Sequence, residues 1–373
     1  MKIGVFYGGK SSEHDISVIT GLQALRSIDK KKYEVVPIYI TSEGEFFTGE
    51  NMLDVEKYLN FDEKKHKKLV FEQGRPNLLA KKAFGYRHFC KLDCALLCLH
   101  GMNGEDGTIQ GLLELSGIPY TSSGVLGSAI TMDKIIMKQL FEANGLPVAP
   151  YVAVLRADYE TDEEKVLDAI HEKLSFPMIV KPANLGSSIG ISKCENDDDL
   201  LLALDIACSY DGRIIVEKAI EPIREINCAC KGHGETSMLE EPVSWDKFLS
   251  FKDKYITFSK NKAKTDIDLP EEVKERIKDI TKKAFHALCC SGIVRTDFIL
   301  NSETNELYIN EINSIPGSLA NYLWKGESFS RLISELIDFA LEKWQEKKKN
   351  KFSYQSQALL NYAKNKGIGK LKK

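Results

Sequence analysis

The chain has 373 residues, 43% of them hydrophobic and 28% charged, and its formal net charge is −3. This balance is typical of a globular protein with two or three domains of roughly 100 to 200 residues each. The small net charge excludes a general attraction to nucleic acid. No apolar run reaches the roughly 18 residues of a membrane helix, and the first residues lack the pattern of a secretory leader. We therefore expect a cytoplasmic protein without nucleic-acid or membrane partners.

Strand patterns alternate with a helical pattern in the first third of the chain. The predicted elements are strands at 2–7, 35–40 and 95–99, a helix at 14–27, and a polar, lysine-rich stretch at 50–82. This alternation predicts an α/β fold with a parallel sheet and crossover helices. Ligands bind beyond the carboxyl ends of such strands, so Gly8, Gly9 and the 100–107 loop form a candidate site.

The remainder of the chain predicts α+β units. The predicted elements are helices at 128–144, 162–174 and 270–289 and strands at 152–155, 178–181, 214–219, 226–230, 294–300 and 307–312. Gly145, directly after the first of these helices, is the expected C-cap. We expect domains at 1–122, 123–211 and 212–345, followed by a lysine-rich tail at 346–373.

Two compositional features favour ordinary structural explanations. Residues 343–373 contain ten lysines and one glutamate, which is typical of a solvated helix face or a frayed terminus. The alternative is an interaction tail for an acidic partner. The nine cysteines form no CxxC pair, so free buried thiols in a reducing compartment are favoured over a metal site.

The richest group of polar residues lies near the C-terminal end. Arg295 and Asp297 are two apart on one predicted strand, and Glu311 and Asn313 are two apart on the next, so each pair faces one side of its strand. Three of these four side chains carry oxygen ligands of the kind that Mg²⁺ prefers. The arginine suits a developing negative charge. The alternative is an ordinary salt-bridged sheet face.

Three loops carry the remaining candidates. Lys181 closes an apolar strand, and the glycine- and serine-rich loop at 186–190 follows it. Backbone N–H groups of such a loop can hold phosphates, although the loop lacks the ending of a Walker motif. The 100–107 loop places polar groups among three glycines, as Glu13 and His14 do after Gly8 and Gly9. The alternatives are a hairpin connection for the first loop and plain helix capping for the other two.

Eight motifs in this order resemble the D-alanine–D-alanine ligase family of the ATP-grasp superfamily. They are GGKSSEHDIS at 8–17, HGMNGEDGTIQGLLELSGIPYTSSG at 100–124, MDK at 132–134, KPANLGSSIG at 181–190, EK at 217–218, KY at 254–255, RTD at 295–297 and NEINSIPGS at 310–318. The resemblance covers about residues 1 to 345. It implies a three-domain ATP-grasp architecture with ATP between the central and C-terminal domains.

The resemblance also implies a role for individual residues. The implied ATP contacts are Lys134, Lys181 and Ser188 at the phosphates, Glu217 with the backbone of Lys218 and Ile220 at adenine, and Glu225 at the ribose. Asp297, Glu311 and Asn313 would bind two Mg²⁺ ions, or Mn²⁺ in their place. The family joins two amino acids through an acyl phosphate, and its members are commonly homodimers.

For that chemistry the resemblance implies a second set of residues. Glu13 would hold the ammonium group of the first substrate, with His100 nearby. Arg295 and the N–H of Gly317 would stabilise the tetrahedral oxyanion, and Lys254 would contact the acyl phosphate. Glu13, Ser187 and Tyr255 would latch a loop at 245–268 over the site.

The sequence departs from the family pattern at the acceptor. In the family pattern a serine contacts the carboxylate of the second amino acid, and Tyr322 occupies that position here. Ser318 and Asn321 are candidates to compensate. The 245–268 loop contains no histidine, which favours an amine over a hydroxy acid as acceptor. The leading hypothesis is D-alanyl-D-alanine synthesis for peptidoglycan. The alternatives are a paralogue that uses D-serine or another small amino acid, and a catalytically silent ATP-binding regulator.

Overall fold

The structure is a computed structural model that describes residues 1–242, 267–351 and 357–365. The strands are β1 (Lys2–Gly8), β2 (Glu34–Ile40), β3 (Phe46–Thr48), β4 (Lys67–Phe71), β5 (Asn77–Lys81), β6 (Tyr86–Lys91), β7 (Cys94–Leu97), β8 (Tyr151–Leu155), β9 (Met178–Pro182), β10 (Ser192–Cys194), β11 (Arg213–Lys218), β12 (Ile223–Lys231), β13 (Glu235–Glu240), β14 (Ile293–Asn301) and β15 (Leu307–Asn313).

The α-helices in the same ranges are α1 (His14–Ser27), α2 (Glu56–Leu59), α3 (Thr108–Leu115), α4 (Val125–Met132), α5 (Lys134–Ala143), α6 (Arg156–Thr161), α7 (Glu163–Lys173), α8 (Asp197–Tyr210), α9 (Glu271–Ala287), α10 (Phe329–Lys348) and α11 (Ala358–Asn365). Short 3₁₀ helices cover Glu63–Lys65 and Gly317–Leu323. None of these helices is long and apolar enough to cross a membrane.

The first sheet has seven strands in the order β6-β5-β4-β3-β2-β1-β7. The parallel pairing predicted from the sequence is confirmed for β2, β1 and β7, but β2 to β6 pair antiparallel. The stretch at 50–82, whose composition indicates only a polar segment, contributes β4 and β5. Short connections between consecutive strands favour antiparallel hairpins. Leu69 and Leu78 point into the core, whereas Lys67 and Lys81 at the strand ends are exposed.

Helices α1 and α10 pack on this sheet beside β1 and β7. Ser328 caps α10 by accepting the N–H of Arg331, and the apolar residues that follow recur at helical spacing. Ile333, Leu336 and Ile337 are fully buried in the same core as the first strands. A helix late in the chain therefore completes the core of the first sheet.

The other two sheets are smaller. The second has the order β10-β9-β11-β8 and the third the order β13-β12-β14-β15, and both are antiparallel. Helices α7 and α8 pack on the second sheet, and α9 packs on the third. The predicted α/β class, with α+β units after the first sheet, is confirmed. The boundaries at 122, 211 and 345 stay a prediction.

The predicted helix at 128–144 is wrong as a single helix. Asp133 has an extended backbone (φ −89°, ψ 107°), and its side chain accepts the N–H groups of Ile135 and Ile136. It also pairs with Arg213 at 2.8 Å. Asp133 therefore ends α4 and begins α5, because capping supplies hydrogen bonds that a continuous helix would otherwise make. Gly145 has φ +66° and caps α5, as expected.

A buried ion-pair cluster joins the third sheet to α10. Lys231 is 1% exposed, and its Nζ donates to Glu327 and Glu335, each at 2.7 Å. The same ammonium lies 4.1 Å from the centre of the Trp324 ring. We call Lys231, Glu327 and Glu335 the closed cluster.

All nine cysteines are free, and seven of them are buried. Burial raises the pKa of the Cys228 thiol to about 11 and that of Cys290 to about 12. These two thiols are therefore protonated at neutral pH. The burial of seven cysteines agrees with structural thiols, whereas the reducing compartment stays a prediction.

Candidate active site

Two lysines share one buried carboxylate between the second sheet and α5. Lys181 at the end of β9 donates to Glu217 on β11 at 2.9 Å, because the two strands are antiparallel neighbours. Lys138 lies on α5 with its Nζ 3.3 Å from the other oxygen of Glu217, but without hydrogen-bond geometry. We call Lys138, Lys181 and Glu217 the open cluster.

Burial and pairing oppose each other in the open cluster. Burial would raise the pKa of Glu217, but the two lysines outweigh it and lower that pKa. Burial likewise would lower the pKa of Lys181, and Glu217 outweighs it. For Lys138 burial wins, so its pKa is lowered. The geometry places two lysine side chains around a single carboxylate, an arrangement that suits an anionic ligand.

Lys134 extends this positive region towards the third sheet. Its Nζ donates to the carbonyl of Leu185 at 2.8 Å and lies 3.6 Å from Glu311. Its backbone N–H donates to the carbonyl of Ala183 at 3.0 Å. The break at Asp133 thus places the first residue of α5 against the glycine- and serine-rich loop.

That loop reaches the first helix through Ser187. The Ser187 hydroxyl donates to Glu13, and Ser187 and Ser188 both have positive φ, at 56° and 59°. A Cβ atom at Gly186 would lie 2.8 Å from the Glu13 carboxylate, and one at Gly101 would lie 2.5 Å from it. Glycine at these two positions therefore allows the carboxylate to be enclosed. The third member of the predicted latch, Tyr255, lies outside the described residues, as does Lys254.

The third sheet aligns oxygen-bearing side chains across two strands. Asp297 is directly opposite Glu311, and Arg295 is directly opposite Asn313. Arg295 donates to both oxygens of Asp297, at 2.6 and 2.8 Å, and Asn313 donates to the same carboxylate at 3.0 Å. The carboxylates of Asp297 and Glu311 and the amide of Asn313 therefore lie on one face, as predicted. This donor set fits a hard divalent cation.

A row of polar side chains continues from Asp297 towards β13. Asn227 is directly opposite both Asp297 and Glu240. Glu240 is 7% exposed, and burial raises its pKa. Tyr322 is 41% exposed, and its hydroxyl accepts a hydrogen bond from Arg295 at 3.4 Å. Tyr322, which is predicted to border the site of the second amino acid, therefore lies beside Arg295, which is predicted to stabilise the oxyanion.

His100 and Ser318 join the first sheet to the loop after β15. His100 Nδ1 lies 2.9 Å from the carbonyl of Ile315, and its Nε2 lies 2.8 Å from the Thr20 hydroxyl. Burial lowers the pKa of His100 to about 4, so the neutral ring donates through Nδ1 and accepts through Nε2. Ser318 donates to Gln23 at 2.7 Å, which turns its hydroxyl towards α1.

The predicted adenine segment follows β11. Lys218 donates its N–H to the carbonyl of Pro150 at 2.9 Å, and Ala219 donates to that of Pro177 at 3.0 Å. Neither N–H is open to a ligand, whereas the N–H of Ile220 has no protein acceptor among the described residues. Glu225 lies on β12, and it helps to raise the pKa of Lys181.

Two family profiles match the chain. The profile for the N-terminal part of D-Ala–D-Ala ligases matches residues 2–123, and that for the C-terminal part matches 140–338. The D-alanine–D-alanine ligase of Staphylococcus epidermidis is 42% identical over 364 residues, which cover 94% of this chain and 98% of that protein. The chain belongs to the D-alanine–D-alanine ligase family.

Solved structures of D-alanine ligases share this fold. The VanG D-Ala:D-Ser ligase of Enterococcus faecalis superposes with a TM-score of 0.79 at 31% identity, covering 91% of this chain and 99% of that one. The D-alanine–D-alanine ligase of Bacillus anthracis complexed with ATP gives a TM-score of 0.67 at 28% identity, covering 93% and 99%. Family membership implies that ATP and a divalent metal ion take part in the reaction.

Sequence reasoning missed four side chains of this ligase site: Lys138, Glu105, Thr20 and Glu240. Lys138 lies one helical turn after Lys134, and this spacing alone places both on one face of α5. Glu105 is one of the polar groups of the 100–107 loop, but its spacing in the sequence assigns it no partner and no role. Thr20 and Glu240 carry no such signal, because their partners are far away in the chain.

Proposed function

We propose that this protein joins two molecules of D-alanine into D-alanyl-D-alanine and converts ATP to ADP and phosphate. One observation carries the proposal: a row of side chains on β14 and β15 lies next to Lys134, whose Nζ is 3.6 Å from Glu311. The row consists of Arg295, Asp297, Glu311 and Asn313. The curated relatives supply the substrate, since those at 38–42% identity are D-alanine–D-alanine ligases.

In the first step, a carboxylate oxygen of the first D-alanine attacks the γ-phosphorus of ATP, and ADP leaves. Lys134 and Lys181 would neutralise the phosphate oxygens, and the N–H groups around Ser188 would orient them. The carbonyl of Lys218 and the N–H of Ile220, with Glu217, would hold adenine, and Glu225 would hold the ribose. Glu13 would bind the ammonium group, and its bond to Ser187 would hold the phosphate loop over the substrate.

Asp297, Glu311 and Asn313 would hold the divalent cations, which we propose are two Mg²⁺ ions. Bound there, the ions would neutralise charge on the phosphate oxygens. The Arg295 guanidinium compensates the charge of Asp297 and fixes the orientation of its carboxylate.

In the second step, the amine of the second D-alanine attacks the acyl carbon, phosphate leaves, and the nitrogen loses a proton. Arg295 and the N–H of Gly317 would stabilise the oxyanion that forms on the acyl oxygen. Lys254 and Tyr255 enter this proposal from the sequence alone. His100, Ser318 and Tyr322 would border the two amino-acid sites.

The test is an assay with ATP, Mg²⁺ and D-alanine, with phosphate release measured and the product identified by mass. We expect D-alanyl-D-alanine, and loss of turnover in Asp297→Asn. Glu303→Gln, on the exposed turn of the same hairpin, is the matched control and should keep wild-type activity. Full activity of Asp297→Asn would overturn the metal assignment.

The same assay with D-serine added tests the alternative acceptor that Tyr322 suggests. A mixed dipeptide formed in preference to D-alanyl-D-alanine would replace the proposed acceptor. ATP binding without turnover on either amino acid would instead identify a silent nucleotide-binding protein.

Two further parts of the proposal concern the protein in solution. The expected homodimer is checked by light scattering of the purified chain. The nine free thiols are compatible with a reducing compartment, and we propose that the enzyme acts in the cytoplasm, where ATP is available.

A further inference from the structure

The peptide unit of Ile315 is held on both sides by side chains from the first sheet. Its N–H donates to Glu105 Oε1 at 2.9 Å, and its carbonyl accepts from His100 Nδ1 at 2.9 Å. The other oxygen of Glu105 accepts the N–H of Gly101 at 2.8 Å. One carboxylate therefore bridges two backbone segments that are more than 200 residues apart in the chain.

A second anchor lies three residues further along. The N–H of Ser318 donates to the Thr20 hydroxyl at 3.2 Å, and that hydroxyl is hydrogen-bonded to His100. Ser318, Leu319 and Ala320 have φ of 51°, 50° and 49°. Such left-handed conformations cost free energy in residues other than glycine and persist only where the surroundings hold them.

Gly317 lies between these two anchors, and nothing within 4 Å would meet a Cβ there. Its own position is therefore not fixed by side-chain packing, since the residue has no side chain and faces open space. The hydrogen bonds at Ile315 and Ser318 hold the backbone on both sides of Gly317 and so constrain where its N–H points.

We propose that Glu105 is a positioning residue for the second chemical step, acting through Ile315 on the N–H of Gly317. This inference rests on the proposed function. Thr20 supports the same segment from its other end. Glu105 thereby couples the loop beside Glu13, where the first amino acid would bind, to the group that would stabilise the oxyanion.

The state of the Glu105 carboxyl is consistent with this coupling. Burial and the neighbouring Glu13 raise the pKa of Glu105, while the N–H groups of Gly101 and Ile315 oppose this change. A substrate ammonium beside Glu13 would offset the repulsion between the two carboxylates. The bridge would therefore be strongest when the first amino acid is in place.

The experiment separates the two chemical steps. ATP labelled with ¹⁸O in the β,γ-bridge scrambles its label whenever the acyl phosphate forms and reverts, and dipeptide formation reports the second step. In Glu105→Gln we expect dipeptide formation to fall about 30-fold and label scrambling to fall less than about 3-fold. The ratio of scrambling to dipeptide should thus rise by an order of magnitude. Glu105→Asp should recover part of the loss, because it keeps the carboxylate.

Asp106→Asn is the matched control, because among the described residues Asp106 accepts only from the nearby N–H groups of Asn103 and Thr108. It should keep the wild-type ratio. Thr20→Val tests the second anchor without touching Glu105, and its ratio should rise about 5-fold. This variant also decides the matter if Glu105→Gln does not fold.

An equal fall in both rates in Glu105→Gln, or an unchanged ratio in Thr20→Val, would overturn the proposal. Absence of both scrambling and dipeptide in the wild-type protein would instead refute the proposed function. The two failures are therefore distinguishable.

Discussion

The closed cluster and the open cluster are both buried groups of lysine and glutamate, yet they differ in the numbers of ammonium and carboxylate groups that they bring together. In the closed cluster one ammonium meets two carboxylates at 2.7 Å, and burial of Lys231 is outweighed so that its pKa is raised. In the open cluster two ammonium groups share Glu217, and the pKa of Lys138 is lowered. Burial alone therefore does not separate a structural ion pair from a ligand site. With Arg331, which pairs with Glu335 at 2.9 Å, the closed cluster has one cation for each carboxylate, whereas the open cluster has two cations for one carboxylate.

The largest effect should come from Lys181→Met. It removes a positive charge that we assign to the phosphates, and we expect kcat/KM for ATP to fall by a factor on the order of 10³. Steady-state kinetics provide the measurement, with Lys173→Met on the exposed end of α7 as the control. Unchanged kcat/KM in a folded variant would contradict the distinction between the two clusters, since the open cluster would then be structural as well.

Next in size is Lys231→Met in the closed cluster. It removes the cation that Glu327 and Glu335 share, while Arg331 still pairs with Glu335, so the free energy of unfolding should fall by about 3–5 kcal/mol. Urea denaturation measures this fall, and kcat/KM of the folded fraction should stay at the wild-type value. Lys349→Met, in an exposed pair with Glu346, should leave both quantities unchanged. A loss of kcat/KM without a loss of stability would contradict our assignment.

A smaller effect is expected for Lys138→Met. Methionine is close to lysine in volume. The lowered pKa of Lys138 means that burial disfavours its charged form in the folded protein. The free energy of unfolding should therefore change by less than about 1.5 kcal/mol. Kd for ATP should rise about 10-fold, equivalent to about 1.4 kcal/mol, as titration calorimetry would show. Destabilisation as large as that of Lys231→Met would mean that the two clusters are alike.

The smallest effect is the difference in titration between the two lysines. NMR of the labelled lysine side chains should find the pKa of Lys138 below 10.5 and that of Lys231 above it. Between the lowered pKa of Lys138 and 10.5 the unfolded chain binds more protons, so Lys138 makes stability rise with pH there. The contribution of Lys231 is complete below 10.5 and is lost as pH rises through its folded-state pKa. The reverse order of the two pKa values would refute the distinction.

Local pattern was enough to predict much of this fold. The strand that ends at Lys181 and the cap at Gly145 follow from apolar spacing and from single residues with strong preferences. The same reasoning failed at Asp133, because a helix-capping residue inside an apolar periodic stretch looks like an ordinary polar position. It also missed β4 and β5, because the many lysines of this stretch hide the alternation that buries Leu69 and Leu78.

The candidate site was predictable only in part, for a related reason. Arg295, Asp297, Glu311 and Asn313 lie on neighbouring strands, so a two-residue spacing places them together. Glu105 depends on Ile315, and no spacing reports a partner 210 positions away. The family resemblance and the fold class are confirmed, whereas the individual roles of the site residues stay predictions.

Helix α10 has a consequence for how the protein is made. Its apolar face completes the core beside β7, but more than 200 residues separate the two along the chain. At about 5–20 residues per second, synthesis would leave that surface of the first sheet uncovered for at least roughly 10 to 50 seconds. During this time the nascent chain carries an apolar surface that chaperones can bind, and slower translation would prolong the exposure.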